Sequence, residues 1–202
     1  MRAWIVVLCL FYSPMLLGET KVLLFSGSTR EGSYNKKLIA EAACISKSLG
    51  ACATVVNLKE YAMPFYDGDL ETSCGMPEGV KRFRQLMIES DVIVIASPEY
   101  NSSVSAVLKN ALDWASRAES GGSSRDAYKG KTFVLLSASP GGGGGKRGLK
   151  NLQGIIEAIG GTVHSHQLSL ANAAAGFDEK GMLVDPKVKQ ELQDILSEVI
   201  KK

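Results

Sequence analysis

Residues 21–35, Lys-Val-Leu-Leu-Phe-Ser-Gly-Ser-Thr-Arg-Glu-Gly-Ser-Tyr-Asn, decide how the rest of the chain is read. Val22 to Phe25 form a short continuous apolar run, the pattern of a strand buried on both faces, and Leu38, Ala42, Ile45 and Leu49 then recur at helical spacing. The stretch is therefore strand, polar loop, helix. Such a loop lies at the carboxyl end of a strand and the amino end of a helix, where free backbone N–H groups and the helix dipole favour an anion. Ser26, Ser28, Thr29 and Ser33 add hydroxyls, Arg30 adds a forked cation, and Gly27 and Gly32 permit tight turns.

The loop differs from better-known phosphate loops. Gly27 and Gly32 have P-loop spacing, but Ser33 and Tyr34 stand where Lys and Ser or Thr are required. A dinucleotide fingerprint needs glycine two positions after the first, and Thr29 sits there. Hydroxyls with one arginine better suit a terminal monophosphate, such as that of FMN. A Ser/Gly turn with Ser33 capping the helix would use the same residues.

The 202 residues, 45% hydrophobic, fit one α/β domain. The net charge of +2 lacks a basic, aromatic-laced stretch, so no nucleic-acid partner is expected, and it weighs against an acidic electron carrier. Cys9, Cys44, Cys52 and Cys74 show no metal or disulfide spacing. Residues 1–18 form a separate segment: Arg2 precedes an apolar run from Ala3 to Leu17, interrupted by Tyr12, Ser13 and Pro14. It is either signal-like or an upstream extension, too short for a membrane span, and the functional domain is placed at 19–202.

Beyond the first helix, strands are expected at Thr54–Leu58, Val92–Ala96, Thr132–Leu136 and Thr162–Leu170. Helices follow from Val80, Phe83 and Met87; from Val104 to Leu112; from Leu149 to Ile159; and from Val188 to Val199. A long loop from Met63 to Pro77 is read as functional, since loops of that length seldom only connect. His164 and His166 share a face of the fifth strand with no third ligand at useful spacing, so no metal site is expected. Alternating strands and helices imply a doubly wound parallel sheet of five strands, and of the common doubly wound orders 2-1-3-4-5 is the one expected. Polar loops after strands one, three and four then meet at the switch point. The second loop is Ser97-Pro98-Glu99-Tyr100-Asn101-Ser102-Ser103; the third is Ser137-Ala138-Ser139-Pro140 and five glycines, Gly141 to Gly145. So many glycines imply either a mobile tip or a backbone passing close to a flat ligand.

Two segments together resemble the NADPH-dependent FMN reductases, a flavodoxin-like family that includes quinone, chromate and azo-dye reductases. They are Gly27-Ser28-Thr29-Arg30-Glu31-Gly32-Ser33-Tyr34-Asn35, and Pro98-Glu99-Tyr100-Asn101 with Leu108-Lys109-Asn110-Ala111-Leu112-Asp113-Trp114. The resemblance implies that Ser28, Arg30, Ser33, Tyr34 and Asn35 hold the FMN phosphate. It also implies that Pro98, Glu99, Tyr100 and Asn101, with Ser137, Ser139, Gly141 and Gly142 of the third loop, frame the flavin ring. The implied reaction passes two electrons from NADPH or NADH through FMN to a small acceptor such as a quinone, azo dye, free flavin or metal oxyanion. No catalytic side chain is assigned, because the cofactor carries the chemistry. The alternatives are a one-electron carrier and a flavin-binding regulatory protein. Glu99 is the only acid in the ring-facing loops, with Lys146 and Arg147 nearby, which favours the reductase. A homodimer or homotetramer is implied by the family alone. A cytoplasmic location is expected because NADPH is a cytosolic reductant, with export through residues 1–18 the competing expectation.

Overall fold

The computed structural model describes residues 18–200, so the segment 1–18 lies, but for Gly18, outside the described residues, as does Cys9. The three central strands form where the described residues have their longest apolar runs. They are β1 (Lys21–Ser26), β3 (Val92–Ala96) and β4 (Thr132–Ala138), with β2 (Cys52–Val56) at one side. All strand pairings are parallel, as long crossover connections allow, and with β5 (Thr162–Val163) beyond β4 the order is β2-β1-β3-β4-β5.

Successive side chains of each strand point to opposite faces, and the helices divide accordingly. Val22, Leu24, Val92, Val94, Val134 and Leu136 pack beneath α1 (Tyr34–Ser48) and α6 (Pro186–Val199). Leu23, Phe25, Ile93, Ile95, Phe133 and Leu135 pack beneath α3 (Glu78–Glu89), α4 (Ala106–Ala115) and α5 (Lys146–Ile159). Among the described residues, no helix is long and apolar enough to cross a membrane.

Three elements differ from the sequence expectation. The second strand sits two residues earlier than Thr54–Leu58, because the Asn57 side chain accepts from the Lys59 N–H and starts a 3-10 turn over Leu58–Tyr61 that buries Leu58. The fifth strand is broken into β5 (Thr162–Val163) and β6 (Leu168–Leu170), both on the outer edge of β4. The polar run between them, His164 to Gln167, leaves the β4 ladder after the His164 N–H donates to the Phe133 carbonyl at 2.8 Å, which blunts an exposed sheet edge.

The long loop carries a short helix, α2 (Gly68–Cys74), capped by Asp67. It is anchored rather than free. Asn110 accepts from the Tyr66 N–H at 2.8 Å and donates to the Pro64 carbonyl at 2.9 Å; Trp114 Nε1 donates to the same carbonyl at 2.7 Å. The Asn110 and Trp114 of the second sequence motif thus hold a neighbouring loop. Arg117 clamps Glu71 of α2 through Nε and Nη2 at 2.7–3.1 Å.

Candidate functional site

The register of the three central strands places their exits side by side. Ser26 stands opposite Ala96, and Ala96 opposite Leu136. The Gly27 N–H donates to the Ala96 carbonyl and the Ser97 N–H to the Leu136 carbonyl, at 2.9 and 2.8 Å, extending the ladder into the loops. A cleft of about 220 Å³ opens there, lined by Ser28, Arg30, Ser33, Tyr34, Asn35, Pro98, Glu99, Tyr100, Ala138, Ser139 and Pro140.

The first wall is the loop after β1. Ser26 Oγ accepts from the Ser28 N–H at 3.1 Å, and Ser28 Oγ accepts from the Arg30 N–H at 3.4 Å, which curls the loop back on itself. Ser33 caps α1 by accepting from the Lys36 N–H, so the cap and the wall are one residue with two uses. Gly27 must be glycine, since a Cβ there would lie 2.9 Å from Leu108 Cδ2 and 3.3 Å from Pro98 Cδ. Tyr34 and Asn35 open α1, so the positively polarised end of the helix belongs to the cleft. Arg30 is exposed, and among the described residues no carboxylate is ion-paired with it.

Asn35 is the corner of the site. It is buried, donates from Nδ2 to the Ala138 carbonyl and accepts at Oδ1 from the Ala138 N–H, both at 2.9 Å. Its carboxamide takes the place of a strand partner on the β3 side of Ala138, whose other side pairs with Leu170 of the outer edge, and ties the first loop to the third. Its part in the wall is to position both loops. Tyr34 is fixed by stacking on Phe177, ring centroids 6.2 Å apart, with the Lys37 ammonium 5.8 Å from its ring centre.

The second wall follows β3. Tyr100 and Ser103 exchange two backbone hydrogen bonds, and Asn101 and Ser102 between them have φ of 51° and 65°, the double left-handed geometry of a type I′ turn. Asn101 therefore turns the chain at an exposed tip outside the cleft lining, while Tyr100, half exposed, stands at the rim. Glu99 Oε1 accepts from Arg147 Nε at 2.9 Å and pairs with Nη2 at 2.7 Å, and Oε2 accepts from the Gly148 N–H at 3.0 Å. The Gly148 N–H first, and Arg147 after it, hold the Glu99 carboxyl below the usual carboxylate range against the opposing effect of burial. Arg147, counted in the sequence as a cation beside the ring loops, is thus neutralised by Glu99.

The glycine run of the third loop has a cause that the sequence did not reveal. A Cβ at Gly144 would lie 2.3 Å from Ser169 Oγ, and one at Gly145 2.0 Å from Ser137 Oγ; both have positive φ. These two glycines let the loop fold over Ser137 and start α5 against Glu99. Ser137 is consequently fully buried and outside the cleft lining, contrary to its expected place beside the ring. Gly141 and Gly142 are exposed and also outside that lining, whereas Ser139 is within it. Lys36 was missed: its Nζ donates to the Thr29 carbonyl at 3.3 Å and brings a second cation to the first loop. Its position three residues after the capping serine was the available signal.

The donor set of Ser28, Ser33, Arg30 and a helix N-terminus fits a phosphate, and the rings of Tyr34, Tyr100, Pro98 and Pro140 fit a flat heterocycle. A doubly wound parallel sheet with such a cleft at its switch point is a flavodoxin-like flavin-binding architecture. The sequence profile of the NADPH-dependent FMN reductase family matches residues 20–175, and the chain belongs to that family. It is 33% identical to an NAD(P)H-dependent FMN reductase of Pseudomonas aeruginosa over 181 residues, covering 88% of this chain and 92% of the relative. It is likewise 33% identical to an NADPH:quinone oxidoreductase of Arabidopsis thaliana over 183 residues, 87% of this chain and 88% of the other. Among solved structures, the flavoenzyme NAD(P)H:(acceptor) oxidoreductase of Paracoccus denitrificans superposes with a TM-score of 0.76 at 25% identity, covering 89% of this chain and 94% of that one. The protein is an NAD(P)H-dependent reductase of the FMN and quinone reductase class, with FMN as its cofactor.

Proposed function

We propose that the chain transfers two electrons from NAD(P)H to a small acceptor of the quinone type, with FMN held across the cleft formed by the three loops. The observation that carries this reading is the convergence of Ser28, Arg30 and Ser33 with Pro98, Glu99 and Tyr100 in one cleft at the carboxyl ends of β1, β3 and β4. Bound FMN supplies hydride acceptance and donation. At about 220 Å³ the cleft is smaller than the roughly 300–1,000 Å³ of pockets that enclose a whole ligand, which supports an FMN held with part of it open to a co-substrate. Ser28, Ser33 and Arg30 bind the phosphate, Asn35 holds the two loops in register, and Tyr100 stands where a second flat molecule would enter.

Glu99 is kept ionised by Gly148 and Arg147, so its role is to fix the second loop on α5 rather than to donate a proton. In the balanced reaction NAD(P)H, one proton and a quinone give NAD(P)⁺ and a hydroquinone. Azo dyes, free flavins and metal oxyanions are further acceptors within the same chemistry. The working domain is taken as 19–202, in the cytoplasm where NAD(P)H is supplied, as a homodimer or homotetramer. Size-exclusion chromatography with light scattering reads the last point directly.

The test is anaerobic. Heat-released flavin should run as FMN on chromatography, and the holoprotein should bleach on mixing with NADPH and recover its colour on adding menadione, with one hydroquinone formed per NADPH consumed. Bleaching that menadione does not reverse, or release of FAD alone, would refute the proposal.

A further inference from the structure

The chain has two histidines in all, and both lie in the bend between β5 and β6. The sequence offers them no third ligand, but the fold does: the last turns of α6 bring Glu198 against them. His164 Nε2 lies 3.0 Å from Glu198 Oε2, His166 Nδ1 lies 3.8 Å from the same oxygen, and the ligand atoms of all three fall within 4.8 Å of one another. From this geometry we propose a divalent transition-metal site, of the zinc class, formed by His164, His166 and Glu198.

The spacing suits such an ion. Zinc holds nitrogen and oxygen ligands at about 2.0–2.2 Å in a tetrahedron, which sets neighbouring ligand atoms roughly 3.4 Å apart. The two distances to Glu198 bracket that value, and the exposed His166 can rotate to close the remaining gap. His164 is also oriented as a metal-ligating imidazole should be. Its Nδ1 lies 3.2 Å from the His166 carbonyl and 3.3 Å from the His166 N–H. Without metal, Nδ1 accepts from that N–H while Nε2–H donates to Glu198. With metal on Nε2, the ring proton resides on Nδ1 and is donated to the carbonyl, the backbone contact that fixes a ligand's tautomer. The His166 N–H, which then loses Nδ1 as its acceptor, belongs to an exposed residue and turns to water.

The surroundings favour a cation with a water ligand. An open groove beside the cluster is lined by Glu191, Asp194 and Glu198 of α6 against one ammonium, Lys187. Two imidazoles and a carboxylate select zinc, copper or nickel over magnesium or calcium, which prefer all-oxygen sites. No residue lines both this groove and the flavin cleft, so the ion would fasten α6 to the open edge of the sheet and leave electron transfer unchanged.

The experiment uses the full-length, tag-free holoprotein, stripped with EDTA and alkylated so that the exposed Cys44, Cys52 and Cys74 cannot compete. Zinc chloride should bind with one ion per chain in calorimetry, shift the side-chain resonances of both histidines and raise the unfolding midpoint, whereas magnesium chloride should do none of these. His166→Ala and Glu198→Gln, at exposed positions remote from the cleft, should each weaken zinc binding at least tenfold with NADPH turnover unchanged. Absence of one-to-one zinc binding in the alkylated protein, or equal binding by either variant, would overturn the proposal.

Discussion

Replacing Asn35 by Ala tests the corner on which two loops depend. The residue is 3% exposed, and its side chain makes two hydrogen bonds of 2.9 Å to the N–H and carbonyl of Ala138. Truncation leaves both backbone groups without their partner at the end of β4. An unsatisfied buried group costs about 1–3 kcal/mol, and water entering from the cleft would relieve part of one, so the expected loss is about 3 kcal/mol. For a domain of this length that corresponds to a fall of roughly 6–12 °C in Tm. Denaturant titration of the apoprotein gives the energy, and fluorescence quenching gives the FMN Kd, which should rise because both loops lose register. Asn35→Asp retains the acceptor but sets an anionic oxygen against the Ala138 carbonyl at a buried position, and should be clearly less stable than wild type at pH 7. A loss below about 0.5 kcal/mol in Asn35→Ala, typical of a surface position, would refute the positioning role.

Arg30→Ala should weaken FMN by about 10- to 150-fold, the loss of a charge-assisted hydrogen bond of about 1.5–3 kcal/mol, while riboflavin, lacking the phosphate, binds as before; equal losses for both would indicate a disrupted loop. Gly145→Ala places a Cβ 2.0 Å from Ser137 Oγ at a φ of 85°, and should cost about 2–4 kcal/mol in denaturant unfolding, whereas Gly142→Ala, whose Cβ meets nothing within 4 Å, should change stability by under about 0.5 kcal/mol. The Glu71 carboxyl is held below its ordinary value of 4.5, first by the Arg117 hydrogen bonds and also by Tyr66. A lowered pKa contributes stability that is fully present above about pH 4.5 and is lost as pH falls through the native value, so the Tm curves of wild type and Glu71→Gln should separate at pH 7 and converge in acid.

Much of this protein is legible along the chain because the signals are local. The buried strands Val22–Phe25 and Val92–Ala96 announce themselves as continuous apolar runs, and Ser33 as a helix cap at a strand-to-helix loop, each within a few residues of the feature it specifies. Parallel order then follows from connections long enough for crossovers, and nine of the thirteen residues expected at the cofactor line one cleft.

What tertiary structure alone decided depends on partners distant in sequence. Asn35 meets Ala138 across 103 residues, and Gly145 packs on Ser137 only because α5 docks against Glu99. Spacing within one segment cannot state which surface another segment will present. The same holds for His164 and Glu198, 34 residues apart, whose meeting requires the sheet edge to break where it does and α6 to close over it. Sequence periodicity sets which face of an element is buried; the docking of elements sets which polar side chains, left at the margins of that burial, come within reach of one another.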